Sequence, residues 1–581
     1  MYFSRGIFAV AVLRAIAAAQ PQPLVCTTTA ASVPVIRAEG QTELVGDVLM
    51  VCTGGTPTPA GESLRLINIQ VFTQPAVSIT SRITHSQVLN NFTEALLIVD
   101  DPPVAKMTMC GSPAYPYSVR EGEALVAGVC GVHPASPNGD GIGTFDPDVA
   151  SGRGNVYQAR SASNTSLIWQ GIPYDPPGPG RARILRLTNV RVNATQLGVP
   201  FGSSANVQLL VSTGAAGVQN FLPVPQPVVA IAQHGTRFTI ARKPDSCLAC
   251  ESANRAFGED SSNPLGSKNS CDGRPFTLRF EELVDNAFRS RAGEAGFSKR
   301  DPDPDRWPEQ LDAFNNRSII AGPNSGVGLA DSGTRFKLTF SNVPDAVRIW
   351  LPPAVVIRSA TMDTGVAERF GHGGDALVPI GNGSGSAYFE VMRSDPTRPE
   401  YFDIEPVISY AAPIAPAISR VEGKPGDGLF APIASSTAPI PRFNFSTGPA
   451  PWLNIAACRT TLLFPWVANT AGLDTGIAIM NTSLDPFEGE VDRGACEVHY
   501  YQGGRETTLV TPVIAGGEHI TWTVGSGGAI PAMPGFEGYV LADCALRSAH
   551  GVAFVGDLNH MRASTAYLAI KPSTATGRGL R

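Results

Sequence analysis

Ten cysteines are the residues of this chain best suited to covalent chemistry: Cys26, Cys52, Cys110, Cys130, Cys247, Cys250, Cys271, Cys458, Cys496 and Cys544. An even count in an exported chain favours disulfides, and the clustering of these residues along the sequence favours local bridges. Cys26 and Cys52 would tie the first strand region to the end of the second, and Cys110 and Cys130 bracket a short segment. Cys247-Leu-Ala-Cys250 with Cys271 invites a metal reading, but zinc needs a fourth ligand, Asp272 is a poor substitute and no His is close in sequence. Haem attachment would need His where Glu251 stands, and a thioredoxin-type pair would need a βαβ context. Disulfide use of two or three of these cysteines is therefore expected. Near the C-terminus, Cys496 faces with Val498 and Tyr500, and Cys544 with Ala542 and Val540, so both thiols are expected to point inward and to pair. Cys458 competes for either one.

Other residue types offer weaker chemistry. Asn138-Gly139-Asp140-Gly141, with Asp146 and Asp148, clusters oxygens as a calcium loop would, but lacks the twelve-residue spacing and terminal Glu of an EF-hand. A plain Asp/Asn/Gly turn is the expected reading. The eight His are scattered; His499, His519, His550 and His560 share the C-terminal region, where surface or turn roles are expected. Trp452, Trp466, Tyr500, Tyr501 and Trp522 could form a sugar-stacking platform, although core packing is the ordinary role of such residues. No Gly-x-Ser-x-Gly, His-Glu-x-x-His or Gly-x-Gly-x-x-Gly run occurs. No catalytic residue, metal or cofactor is assigned.

The elements that would position these residues read as strands. Charged residues are only 16% of the 581, against 60 Gly and 49 Pro, a composition of short strands joined by tight turns. The net charge of -6 offers no basic excess to neutralise phosphates, so nucleic acid is not an expected partner. Ile67, Ile69 and Val71 alternate with polar neighbours, as do Phe336, Leu338 and Phe340, the pattern of half-buried strands. One stretch, FTLRFEELVDNAFRSRAGEAGF, places Phe280, Leu283, Ala287 and Phe288 near helical spacing and predicts a small helical insertion.

The expected organisation begins with a secretory signal at 1–19, where Arg5 precedes a short apolar run and Ala17-Ala18-Ala19. A β domain at 20–105 follows, then a β-sandwich at 106–235 and a β domain with the helical insertion at 236–355. A small β region at 356–410 leads to a linker at 411–451 holding eight Pro. The C-terminal β-sandwich occupies 452–581. No run of about 20 apolar residues occurs, so no transmembrane segment is expected. Seven Asn-x-Ser/Thr tripeptides, from Asn91 to Asn481, are weak evidence of glycosylation.

The run LLFPWVANTAGLDTGIAIMNTS, with AGGEHITWTV, GYVLADC and AHGVAFVGDL, resembles β-sandwich modules of uncharacterised secreted bacterial proteins of acidobacterial type. IRAEGQTELVGDVLMVCTGG and RILRLTNVRVNATQLGV resemble phrases that recur in such proteins. The resemblance implies a mainly β chain of several immunoglobulin-like sandwiches in a row, exported to the cell surface or beyond, and no activity. The expected function is structural or interactive and non-catalytic, with cell-envelope components, other surface proteins or glycans as partners. A carbohydrate-binding or polymer-degrading accessory role is the alternative.

Overall fold

A computed structural model describes residues 23–572, apart from 88–89, 104–105, 108, 111–133, 147–153, 215–224, 244–246, 249–275, 291–332, 371–376, 411–416, 426–441, 444–447, 457–458, 485–490 and 558–563. The protein is almost entirely β, and its buried residues gather in three hydrophobic cores. The expected signal at 1–19 lies outside the described residues, among which no helix is long and apolar enough to cross a membrane.

The first unit runs from Val25 to Gln233. Its main sheet places Val25–Ala30, Val48–Gly54, Gly178–Thr188, Asn90–Val99, Val156–Ser163, Ser166–Tyr174, Arg65–Gln74, Ala205–Gly214, Val228–Gln233 and Val35–Arg37 side by side. Arg65–Gln74 buries Ile67, Ile69, Val71 and Thr73 and exposes or half-buries the residues between, the period of two that its sequence carries. The expected boundary at 105/106 does not divide this sheet: Gly178–Thr188 lies between Val48–Gly54 and Asn90–Val99 and pairs with both. Neither half buries its apolar face without the other, so the two expected domains form one unit around Trp169.

The second unit runs from Thr236 to Ala456 and is packed with phenylalanine. Phe280, Phe336 and Phe402 meet with ring centroids 4.7 to 5.3 Å apart, at the tilted and edge-on angles aromatic pairs favour. The boundary at 355/356 also falls inside a sheet, since Ser384–Arg393 pairs with both Arg335–Ser341 and Asp363–Phe370. The predicted helix is corrected: Thr277–Glu282 is a strand between Thr236–Arg242 and Tyr401–Ile404. Ala287, Phe280 and Phe288 are buried, but two strand neighbours and the loop that follows supply the burial, not a helical stripe. The proposed linker is corrected as well. Ala417–Pro425 is an interior strand between Arg335–Ser341 and Ala450–Ala456. Its buried positions include Ser419, Val421 and Gly423, too small and polar to show an apolar alternation. Gly423 is required there, because a Cβ would lie 2.2 Å from the Phe238 ring. Residues 426–441 lie outside the described residues.

The third unit is a two-sheet sandwich that starts at Thr460, not at 452, since Trp452 belongs to the second core. Thr460–Ala468, Glu537–Cys544, Cys496–Gln502 and Arg505–Val510 form one sheet. Gly527–Gly528, His519–Thr523, Asp474–Asn481, Ala549–Gly556 and Ser564–Leu568 form the other. Phe464, Ile477, Val498, Trp522 and Val540 fill the space between them.

Cys496 and Cys544 are bonded and directly opposite on neighbouring strands, with Cα atoms 3.8 Å apart, both fully buried. Cys26 and Cys52 are bonded in the same cross-strand manner, with Cα atoms 4.0 Å apart. Cys130, Cys250, Cys271 and Cys458 lie outside the described residues, as do the side chains of Cys110 and Cys247.

Candidate functional site

Among the described residues, a concentration of buried charge lies where the first unit meets the second. Val35–Arg37 is brought to this boundary by parallel pairing with Val228–Gln233, the last strand of the first unit. The side chain of Arg37 is completely buried. Its Nη2 donates to Glu43 Oε1 at 3.0 Å, and its Nη1 donates to the Ala287 carbonyl and to Thr334 Oγ1, both at 2.9 Å and both in the second unit. The guanidinium also lies 4.6 Å from the centroid of the Phe443 ring. One side chain thus has its ion-pair partner in one unit and its neutral partners in the other.

Glu39 faces the connection itself. Its carboxylate accepts from Gly235 N at 3.1 Å, Thr236 N at 2.9 Å and Thr236 Oγ1 at 3.0 Å. Burial pushes its pKa up, while the amide of Gly235 and the charge of Arg37 pull it down. Gln41 N donates to the Arg442 carbonyl at 2.7 Å, and Gly40 pairs with Phe443 as an isolated bridge. Gly40 is held to glycine because a Cβ would lie 2.1 Å from Glu43 Oε1.

A second buried pair supports the first. Arg191 and Glu94 are fully buried, with Nε 3.0 Å from Oε1. Arg191 Nη1 donates to the Thr42 carbonyl at 3.2 Å, which braces the loop carrying Glu39 and Glu43. Arg191–Val192 pairs with Glu43–Leu44 in a small two-stranded sheet. The phrases IRAEGQTELVGD and LTNVRVNATQ, singled out in the sequence as recurrent, therefore meet in space and build this joint. Its carboxylates and guanidiniums bond to one another and to backbone, an arrangement suited to fixing an angle between units rather than to turning over a substrate. Buried ion pairs of this kind contribute little net stability but penalise misplacement heavily.

The joint was not among the residues assigned a role from sequence. The local pattern hides it: Arg37 between Ile36 and Ala38, and Arg191 between Val190 and Val192, read as the ordinary solvent-facing positions of alternating strands.

The other sequence candidates are dispersed. Ser136 Oγ donates to Asp140 Oδ1 at 3.0 Å, and the amide of Ile142 donates to the same oxygen at 3.0 Å, so Asp140 closes a turn. The Ile142 amide is the main reason its pKa falls. Arg181 and Arg183 donate to the carbonyls of Asp140 and Gly141 at 2.8 and 2.9 Å, so guanidiniums occupy oxygens that a cation would use. Asp148 lies outside the described residues.

Trp452, Tyr500 and Trp522 are core residues, and Trp522 Nε1 donates to the Tyr500 hydroxyl at 2.9 Å. Burial pushes the Tyr500 pKa up to about 12. Trp466 is exposed, and Tyr501 stacks on Tyr539 with centroids 4.8 Å apart and an interplanar angle of 14°. Tyr539 was not singled out from sequence; its pairing opposite Tyr501 is a matter of register. His499 lies on the same sheet as these rings, with Nδ1 2.8 Å from Glu506 Oε1. His519 and His550 lie on the opposite sheet. His133, His372 and His560 lie outside the described residues, as does the side chain of His85.

No family model matches the chain, and no curated protein matches it. Among solved structures, the C-terminal domain of the Streptococcus agalactiae AgI/II polypeptide BspA aligns at 6% identity with a TM-score of 0.24, covering 69% of this chain and 96% of its own. The major pilin subunit BcpA of Bacillus cereus, as its D312A variant, aligns at 7% identity and a TM-score of 0.21, covering 95% and 97%. The T6 backbone pilin of Streptococcus pyogenes aligns at 7% identity and a TM-score of 0.21, covering 94% and 80%. At these scores the likenesses carry no argument about this chain.

Proposed function

We propose that the chain is an exported structural and interaction protein of the bacterial cell surface, without catalytic activity. The observation that carries this reading is the joint. The fully buried Arg37, paired with Glu43 in the first unit, bonds to Ala287 and Thr334 in the second, and the buried Arg191–Glu94 pair braces the loop that carries Glu43. Cross-strand disulfides at Cys26–Cys52 and Cys496–Cys544 suit an oxidising compartment. Recognition would fall to loops at the ends of the units, which rigid β scaffolds commonly present to partners. Cell-envelope components, other surface proteins and glycans are the partner classes to examine. The test is protease shaving of intact cells, followed by a binding screen of the purified chain against envelope polymers and glycans. Release of fragments from intact cells supports the reading; recovery of the whole chain from the cytoplasm with reduced cysteines overturns it.

One observation favours a second reading, a carbohydrate-binding accessory role. Tyr501 and Tyr539 form an aromatic pair on an outer sheet face, with Tyr539 43% exposed. The rings stack on each other rather than tiling a flat surface, which leaves little ring face for a sugar. Glycan binding that disappears in Tyr539→Ala would establish this role, and unchanged binding would remove it.

A further inference from the structure

We propose that His519, Met480 and His550 form a surface copper(I) site on the five-stranded sheet of the third unit. The strand Asp474–Asn481 lies between His519–Thr523 and Ala549–Gly556. In the register, Met480 is directly opposite His519 on one side and His550 on the other. All three side chains are exposed and belong to the outer face, since Ile479 and Asn481 on the same strand are buried. Directly opposed residues have Cα atoms about 4.5–5.5 Å apart, so the row His–Met–His spans about 10 Å between its outer Cα atoms, with Met480 at its centre. Two imidazoles leaning toward the sulfur need to approach within about 4 Å, twice a metal–nitrogen bond. Eight His and nine Met among 581 residues make such a row an uncommon coincidence.

The ligand set selects the ion. A thioether is a soft ligand that favours copper(I), while imidazole also suits zinc and nickel. Among the described residues no set of three His, Cys, Asp or Glu side chains is placed to hold an ion, so a three-ligand site here depends on the sulfur. An imidazole can keep a hydrogen-bond partner on one nitrogen and bind metal through the other.

The test uses the full-length purified chain with thiols alkylated beforehand, so that cysteine cannot bind the metal. Copper(I), generated with ascorbate, is titrated in competition with bicinchoninate, and zinc(II) and nickel(II) are titrated in parallel. One copper(I) per chain is expected. Met480→Leu, His519→Asn and His550→Asn should each weaken binding tenfold or more, and His499→Asn, on the opposite sheet, should not. The methyl resonance of Met480 should shift on addition of copper(I). Copper(I) affinity unchanged in Met480→Leu overturns the proposal, as does tighter binding of zinc(II) than of copper(I). The three positions are exposed, so the variants should keep the melting temperature of the parent, which is checked alongside.

Discussion

The two junctions along this chain are both short, yet they are built differently. Between the first and second units only His234 and Gly235 separate the strands Val228–Gln233 and Thr236–Arg242. Across that connection lie Arg37 with its partners in both units, Glu39 on the amides of Gly235 and Thr236, and the Gly40–Phe443 bridge. Between the second and third units, three residues separate Ala456 from the strand that starts at Thr460. Among the described residues no strand of one pairs with a strand of the other, and no backbone hydrogen bond crosses that gap. The contrast teaches that connections of similar length can join units with shared buried partners or without them.

The largest expected effect comes from breaking the first junction. Arg37→Met leaves Glu43 buried without its main partner and should destabilise the first and second units by about 3–5 kcal/mol. Calorimetry should show their shared transition move or split, with the third unit's transition unmoved. An unchanged first transition would mean the joint does not couple the units. Replacing both Cys496 and Cys544 by Ala sharpens the comparison from the other end. Closing a loop of this length is worth about 3–4 kcal/mol in the chain-entropy model. Only the third transition should fall; a matching fall in the others would show coupling through the second junction.

The pH dependence should also differ between the units. Glu282 ends a strand beside the joint and carries a pKa raised from 4.5 to about 8, chiefly by burial, with the Glu400 carboxyl adding to the rise. A raised pKa means that the folded state holds the proton more tightly. Its stabilising contribution is complete below pH 4.5 and is lost as pH rises through 8. The steepest slope for one such group is about 1.4 kcal/mol per pH unit. Denaturation from pH 5 to 9 should therefore weaken the second unit more than the third. Glu282→Gln should flatten that slope and lower the low-pH plateau by about 1 kcal/mol, because Phe288 N and Glu400 N donate to different oxygens of Glu282 and the amide nitrogen of Gln, which only donates, leaves one of them without an acceptor. A slope that persists in the variant would place the titration elsewhere. The smallest effect belongs to Arg459, 2.5 Å from Asp543 beside the second junction and about half exposed. Arg459→Ala should cost less than about 1 kcal/mol in urea denaturation; a larger cost would reveal an order at that junction that strand pairing does not show.

Much of the β architecture was legible because alternation is a local property. Ile67, Ile69, Val71 and Phe336, Leu338, Phe340 announce their strands without knowledge of the partners. Unit boundaries were less legible, because sheet order is not sequence order: Gly178–Thr188 returns to sit beside Val48–Gly54 across more than 100 residues. The helix expected around Phe280 shows a second limit. Four apolar residues at near-helical spacing can also come from a strand and the turn after it, and pairing with Tyr401–Ile404 decides between them. Ala417–Pro425 shows a third, since a strand that packs Ser419 and Gly423 inward has no apolar signature to read. The joint was hardest, because its meaning lies in which charges meet, and Arg37 meets Thr334 only after the fold is complete.

That separation also sets an order in time. Thr42 accepts from the amide of Arg442 and lies 400 residues before it. At about 5–20 residues per second of synthesis, on the order of 20–80 s pass between the emergence of these two residues. For part of that interval Arg37 is without Ala287 and Thr334, and for all of it Gly40 and Gln41 are without Phe443 and Arg442. The N-terminal unit can collapse around Trp169, but its polar end stays open to water until the second unit has been made. Nascent chains halted near residue 240 should be more readily digested at the IRAEGQTELVGD loop than chains released complete, because Ala287, Thr334, Arg442 and Phe443, which seal this loop, are made only later.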